Sequence, residues 1–232
     1  MPDRVYPPVI AAAKLMFRVL DMRITVEGAE HVPTTGGAVL ASNHVSYLDF
    51  IFAGYGAHPA RRLVRFMAKH EVFQHPVSGP LMRGMHHIPV DRTAGQASYQ
   101  QALDALRSGE VVGIFPEATI SRSFTVKDVK SGAVRMAAEA GVPLLPTAVW
   151  GTQRLWTKGR PKSLTRRHVP ITIIVGEPVE PTTDADLRER MQALLDDAQA
   201  RYPESGEGQW WQPAHLGGTA PTPEEAKRLD GR

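Results

Sequence analysis

Short apolar runs alternate with helix-patterned stretches along this 232-residue chain, and that alternation constrains its fold more than any other feature. Strand patterns fall at residues 23–27, 38–41, 63–68, 87–90, 111–115, 144–149 and 171–175, and helical ones at 7–20, after Ser46, and across 94–107, 130–140 and 184–201. Residues 71–84 also read as helical, but Pro76 and Pro80 remove backbone donors and break the stretch into pieces. Gly141 stands where a left-handed residue would close the 130–140 helix. Strands that alternate with helices are joined by crossovers rather than tight hairpins. The expectation is therefore an α/β fold, a mixed, largely parallel central sheet with helices on both faces. At 42% hydrophobic the chain can fill one substantial core. Residues 23–202 are expected to carry it, preceded by an amphipathic helix in 1–22 and followed by an extended, poorly ordered tail, 203–232, rich in Gly, Pro, Glu and Gln.

Composition removes several classes of chemistry. With no cysteine there is no disulfide, thiolate metal site or Cys/His nucleophile, which fits a reducing compartment. Apolar stretches are interrupted by charge well short of the roughly 20 residues that cross a bilayer. The opening Met1-Pro2-Asp3-Arg4 lacks the order of a signal peptide. The net charge is only +3, yet Arg154, Lys158, Arg160, Lys162, Arg166 and Arg167 follow one another with no acidic residue between them. That loop carries a strongly positive local field.

The segment that carries chemistry is Ser42-Asn43-His44-Val45-Ser46-Tyr47-Leu48-Asp49, which follows the apolar run Gly37-Ala38-Val39-Leu40-Ala41. Ser46 reads as an N-cap, so His44 falls on the loop at the carboxyl end of a strand and Asp49 in the first turns of the next helix. A carboxylate there can reach back to one ring nitrogen, fix the tautomer, and leave the other nitrogen to take a proton near neutral pH. The alternative is a capping histidine with an aspartate favoured by the helix dipole.

Three more segments put polar residues where a strand gives way to a loop: Lys69-His70-Glu71 with His87-Ile88-Pro89-Val90-Asp91-Arg92; Phe115-Pro116-Glu117-Ala118-Thr119; and Val142-Pro143-Leu144-Leu145-Pro146. Taken in order with the first, they resemble the four blocks of the glycerophospholipid acyltransferases, and most closely the lysophosphatidic acid (1-acylglycerol-3-phosphate) acyltransferase branch. Asn43, His44, Ser46 and Asp49 meet the first block in full. Val90, Asp91 and Arg92, with Lys69 upstream, meet the second. Phe115, Pro116, Glu117 and Thr119 meet the third, with Ala118 in place of glycine, and Val142, Pro143 and Pro146 meet the fourth. Where the family often has arginine after the threonine, this chain has Ile120, and Arg122 is the candidate replacement.

The resemblance implies a glycerol-3-phosphate acyltransferase-like fold and transfer of a long-chain acyl group from acyl-CoA or acyl carrier protein to the free hydroxyl of lysophosphatidic acid. His44 would be the general base and Asp49 its orienting acid, with Asn43 and Ser46 supporting them. Lys69, Arg92 and Arg122 would meet the acceptor phosphate, together with the loop at Glu117, Ala118 and Thr119, where Glu117 would bond the glycerol or brace the loop. Backbone N–H groups of the His44 or Glu117–Thr119 loops would stabilise the oxyanion. The co-substrate thioester aside, no cofactor and no metal is implied, and the place of action would be the cytoplasmic face of the cell membrane, as a peripheral protein.

Competing readings rest on fewer residues. His86-His87-Ile88-Pro89-Val90-Asp91 reproduces the His-His-x-x-x-Asp pattern of a second acyltransferase superfamily, but Arg92 stands where that superfamily has glycine. A zinc site from His44, Asp49, His70 and His86 or His87 lacks recognised ligand spacing. A non-catalytic lipid-binding protein would have no use for a paired base and acid. The stretch from Pro8 to Leu20, with Val9, Ala13, Met16, Phe17 and Leu20 toward one side and Lys14 and Arg18 on another, reads either as a basic interfacial helix or as a helix packed on the body with two solvated charges. The basic loop with Trp156 is a further candidate for anionic headgroups or the phosphates of coenzyme A, and Trp210 and Trp211 are read either as interfacial anchors or as pins of the tail to the domain. Nucleic acid is a poorer partner, because no binding motif accompanies the charge.

Overall fold

The computed structural model describes residues 3–91, 95–180 and 183–231. Among them, β1 (Arg23–Glu27), β2 (Ala38–Ser42), β3 (Val64–Lys69), β4 (Ile88–Val90), β5 (Val111–Ile114), β6 (Leu144–Trp150) and β7 (Pro170–Val175) form one sheet in the order β1-β7-β6-β2-β5-β3-β4. Every pairing is parallel except β6 with β7. The helices are α1 (Tyr6–Val19), α2 (Asp49–Gly56), α3 (His70–Gln74), α4 (Ser78–Gly84), α5 (Gly95–Arg107), α6 (Gly132–Ala140), α7 (Asp184–Ala200) and α8 (Pro223–Leu229).

The period-2 alternation of the central strands sorts their side chains between two cores. Val39 and Ala41 of β2, with Leu144, Ala148 and Trp150 of β6, pack on one face against Leu103 and Leu106 of α5, Met136 of α6 and Met191 and Leu195 of α7. Ala38 and Leu40, with Leu145 and Val149, pack on the other face against Phe17 of α1 and Phe52 and Ala53 of α2. A strand buried on both faces reads as an unbroken apolar run, which is how these strands appear in the sequence. Pro76 separates α3 from α4, whereas Pro80 is tolerated because it lies in the first turn of α4, where an N–H would have no intrahelical acceptor. Gly141 closes α6 with φ 65°.

This topology sets the position of the site. β2 lies between β5 and β6, and β2, β5, β3 and β4 run in the same direction. Their carboxyl ends therefore share one edge of the sheet, with His44 beyond β2, Phe115 to Glu117 beyond β5, Lys69 ending β3 and Val90 ending β4. Open α/β sheets bind ligands on this edge, where successive connections leave in opposite directions from one strand.

Two expectations need correction, and one open alternative is decided. The segment after Tyr202 does not trail away: Trp211, Ala220 and Ala226 are buried, and α8 carries a capping box between Thr222 and Glu225. Arg154 sits 4.6 Å over the Trp211 ring and Arg160 5.2 Å over that of Trp210, so cation–π contacts hold the segment on the basic loop. The loop's field is correspondingly reduced, since Arg154 pairs with Glu204 at 2.7 Å and Lys158 with Asp230 at 2.5 Å. Finally, the apolar side of α1 is spent on the body, through Phe17, Ala13 and Met16 in one core cluster and Tyr6, Val9 and Ile10 in another. The face of α1 that meets solvent shows Leu15 and Val19 beside Lys14 and Arg18.

If segment 203–231 is an integral part of the fold, truncating its buried anchor is costly. Trp211→Ala is expected to lower unfolding stability by about 3 kcal/mol in denaturant titration, as for other large-to-small core changes. A change within 0.5 kcal/mol would mean the segment packs without contributing.

Candidate active site

His44 leaves the end of β2 with its Nδ1 3.0 Å from Oδ2 of Asp49. The same oxygen accepts the backbone N–H groups of Val45 and Ser46, both at 2.7 Å, and Oδ1 accepts the Thr152 hydroxyl at 2.5 Å. Asp49 is completely buried while the His44 side chain keeps 20% of its surface. A carboxylate whose Oδ2 already accepts two obligate amide donors acts as an acceptor toward the ring as well. The network thus assigns the proton to Nδ1 and leaves Nε2 as the basic nitrogen.

The local cause differs from the N-cap expected at Ser46. The helix begins at Asp49, after Leu48, and the Asp49 carboxylate reaches back to the amides of Val45 and Ser46. Ser46 instead donates its hydroxyl to the Trp156 carbonyl at 2.7 Å and accepts the Leu48 N–H at 3.1 Å. Asn43 is buried and clamps β6 in both directions: its Nδ2 donates to the Val149 carbonyl at 3.1 Å and its Oδ1 accepts the Val149 N–H at 2.7 Å.

The third block supplies the far wall. Phe115 stacks on the His44 ring with centroids 4.3 Å apart, and Phe66 stacks on Phe115 at 5.7 Å. Gly113 makes room for this column, because a Cβ there would stand 2.5 Å from two Phe66 ring carbons. Glu117 is buried and braces the loop: Oε1 accepts the His44 N–H at 2.7 Å and Oε2 the Lys127 N–H at 3.0 Å. Burial pushes its carboxyl up to about 7, against the pull of those two amides. Ala118, where the resemblance calls for glycine, adopts φ 60° in the turn closed by its N–H to the Phe115 carbonyl. The glycine slot is thus a left-handed backbone position, and a methyl group there costs about 1 kcal/mol or more. Thr119 accepts a hydrogen bond from the Lys127 ammonium, and Ile120 is buried.

The remaining candidates are placed as follows. Lys69 is exposed at the end of β3, opposite Val90 of β4 in the ladder. Arg92 lies outside the described residues. Arg122 is engaged with Asp230, its Nε 3.0 Å from Oδ1. His86 pairs with Asp3 at 3.4 Å, and His87 is buried with Nδ1 accepting the Phe66 N–H at 2.9 Å; burial lowers its ring to about 4, so it is a neutral structural histidine. The His-His-x-x-x-Asp pattern is therefore a packing feature.

Sequence reading missed Thr152 and Thr157, whose hydroxyls bond Asp49 and the Val45 carbonyl, and gave Trp156 a headgroup role where its carbonyl accepts the Ser46 hydroxyl. The available signal was the switch from apolar β6 to Gly151-Thr152-Gln153 at a strand's carboxyl end.

Glu117→Gln offers one carbonyl oxygen where two amides need acceptors. It is expected to lower stability by about 1–3 kcal/mol through the amide left unpaired. The folded state holds the Glu117 proton more tightly than the unfolded chain, so this group's contribution is largest below pH 4.5 and declines as pH rises to about 7. The stability difference between wild type and Glu117→Gln, measured by denaturant titration from pH 4.5 to 7, should narrow as pH rises. A constant difference would contradict the raised value.

A family model described as Acyltransferase matches residues 23–150. The 1-acyl-sn-glycerol-3-phosphate acyltransferase of Bacillus subtilis (strain 168) is 32% identical over 194 residues, 80% of this chain and 90% of that protein. Its namesake from Limnanthes douglasii is also 32% identical, over 163 residues, 68% of this chain and 55% of the relative. The crystal structure of the 1-acyl-sn-glycerophosphate (LPA) acyltransferase PlsC from Thermotoga maritima superposes with a TM-score of 0.72 at 25% identity, covering 85% of this chain and 81% of that one. The sheet, the first and third blocks meeting at its carboxyl edge and these likenesses converge: the chain belongs to the acyltransferase family.

Proposed function

We propose that the protein transfers a long-chain acyl group from acyl-CoA or acyl carrier protein to the free hydroxyl of 1-acylglycerol-3-phosphate, giving phosphatidic acid. The observation that carries this reading is the partly exposed His44 ring held through Nδ1 by a fully buried Asp49. The relatives named for that reaction, and the structure of PlsC, supply the substrate class.

In this scheme His44 Nε2 takes the hydroxyl proton as the oxygen attacks the thioester carbonyl. The tetrahedral intermediate collapses by breaking the C–S bond, and the imidazolium returns its proton to the departing thiolate. Asp49 stabilises the cation and holds the ring, so no covalent acyl-enzyme is required. For the oxyanion, the amides of residues 44 to 46 are already committed to Glu117 and Asp49, and that of Tyr47 to the Trp156 carbonyl. The amides of Glu117, Thr119 and Ile120 donate to no acceptor among the described residues, and they are the donors we assign. Lys69, at the end of β3, and Arg92 serve the acceptor phosphate.

His44→Ala is expected to lower kcat by about 10²- to 10⁴-fold in a thiol-release assay with long-chain acyl-CoA and lysophosphatidate. Thr152→Val, which removes the hydroxyl bonded to Asp49, should cost about tenfold, the equivalent of about 1.4 kcal/mol. Equal rates in wild type and His44→Ala would remove the catalytic role.

An acceptor dissolved in a bilayer brings the protein to a membrane surface as a peripheral protein, at the cytoplasmic face in this reading. No helix among the described residues is long and apolar enough to cross one. The contact surface we assign is the outward face of α1, with Leu15 and Val19 exposed beside Lys14 and Arg18, joined by exposed Val72, Val77 and Leu81 on and between α3 and α4. Replacing Lys14 and Arg18 with glutamate should reduce co-sedimentation with vesicles containing anionic lipid severalfold. Unchanged sedimentation would return α1 to a purely structural part.

A further inference from the structure

We infer that Arg122 and Lys158 form one phosphate-binding subsite beside His44, and that Asp230 of segment 203–231 occupies it as a removable internal counter-ion. This rests on the function proposed above and adds to it a binding residue, Lys158, and a gate.

Both cations are tied to the catalytic loop. Arg122 follows Ser121, whose N–H donates to the His44 carbonyl at 2.7 Å. Lys158 follows Thr157, whose hydroxyl donates to the Val45 carbonyl at 2.6 Å. Consecutive residues of the His44 loop thus anchor the two stems from opposite sides, one from the connection after β5 and one from the connection after β6. The cations converge on a single oxygen: Arg122 Nε lies 3.0 Å and Lys158 Nζ 2.5 Å from Asp230 Oδ1. The backbone is shaped to admit them, because Gly159 has φ 77° and a Cβ there would stand 2.2 Å from Arg122 Nη1.

The occupant matches the site poorly. Two cations face one monoanion, and Lys127, whose ammonium donates to Thr119 and to the Ile120 carbonyl, adds a third positive charge to the field at Asp230. A phosphate monoester near neutral pH carries close to two negative charges and three terminal oxygens, enough to satisfy a guanidinium and an ammonium separately. Nor does α8 favour the acid: Asp230 is its C-cap, the end of a helix where a negative charge is disfavoured, and the preceding Lys227 and Arg228 follow the usual pattern. Asp230 is held there by the two cations and by the packing of the segment, with its side chain 8% exposed. Substrate phosphate competes with that carboxylate, and its entry displaces the end of segment 203–231 from the loop beside His44.

The phosphate could belong to the acceptor headgroup or to the nucleotide of coenzyme A, and the two are separable. Glycerol 3-phosphate and inorganic phosphate are titrated calorimetrically into the full chain, wild type and Asp230→Asn. Removing the internal anion should tighten binding at least fivefold, and adding Arg122→Gln and Lys158→Gln to Asp230→Asn should abolish the gain. Steady-state rates then assign the source. A fall in KM for lysophosphatidate alone marks the acceptor headgroup, whereas a fall in KM for acyl-CoA, absent with an acyl-pantetheine thioester, marks the donor. Unchanged phosphate affinity in a folded Asp230→Asn protein would overturn the inference and leave a structural ion pair only. If that variant fails to fold, Lys158→Gln in the wild-type background gives the second measurement: phosphate affinity must fall at least threefold, and no change overturns the subsite. Because binding is read without turnover, a chain that binds phosphate as expected but releases no thiol would refute the proposed function and not the subsite.

Discussion

The carboxylate of Asp49 is the interaction on which the rest of the site depends. A fully buried charge is tolerable only when its oxygens are satisfied, and Asp49 collects four donors: two backbone amides, one hydroxyl and the imidazole. The amides come from the loop that carries His44 and fold that loop back on its own helix. The hydroxyl comes from beyond β6, so the same carboxylate joins the ends of two neighbouring strands. As an acceptor on both oxygens it orients the His44 ring, and in the proposed reaction it would stabilise the imidazolium without taking the proton itself.

A second buried carboxylate does the corresponding work on the other side. Glu117 spans His44 N–H and Lys127 N–H, while Ser121 donates to the His44 carbonyl and Phe115 stacks on the ring. The carboxyl ends of β5, β2 and β6, three adjacent strands, are thereby fastened to one short loop. Holding a base by packing and by hydrogen bonds from several rigid elements is what keeps reacting groups within productive distance. Phe66 and Gly113 extend this support into the sheet itself, since the aromatic column leaning on His44 fits only where β5 has no side chain.

What could be read in the sequence was whatever depends on local order. The His44 to Asp49 spacing is five residues, the strands are continuous apolar runs because both faces are covered, and the helix stop at Gly141 is a left-handed position. The four blocks fall on loops because each follows or leads a strand of that kind. The switch from β6 to loop marked the place of Thr152, but not its partner, because it lies 103 residues from Asp49 and meets it only through the lateral pairing of β6 with β2. Segment 203–231 was misjudged for a similar reason. Its Gly, Pro, Glu and Gln content suggests disorder, and its order comes from distant cations stacking on Trp210 and Trp211 and pairing with Glu204 and Asp230. The apolar side of α1 was visible as a stripe, but a stripe does not say whether sheet or bilayer covers it. Packing of Phe17 on Phe52 at 5.2 Å decides that in favour of the body.

The two departures from the family pattern, Ala118 and Ile120, have a common physical meaning. Alanine at φ 60° keeps the turn that glycine would make, at a cost in strain, so the turn itself is what the site requires rather than open space at that residue. Ile120 is buried, which turns the position after the threonine inward and removes it as a carrier of charge. Positive charge at this edge comes instead from Arg122, Lys127 and Lys158, two of them on the far side of the loop and one from beyond β6. A guanidinium directly after the threonine would be fixed to the turn, whereas cations on these longer connections can be neutralised by a carboxylate of the same chain.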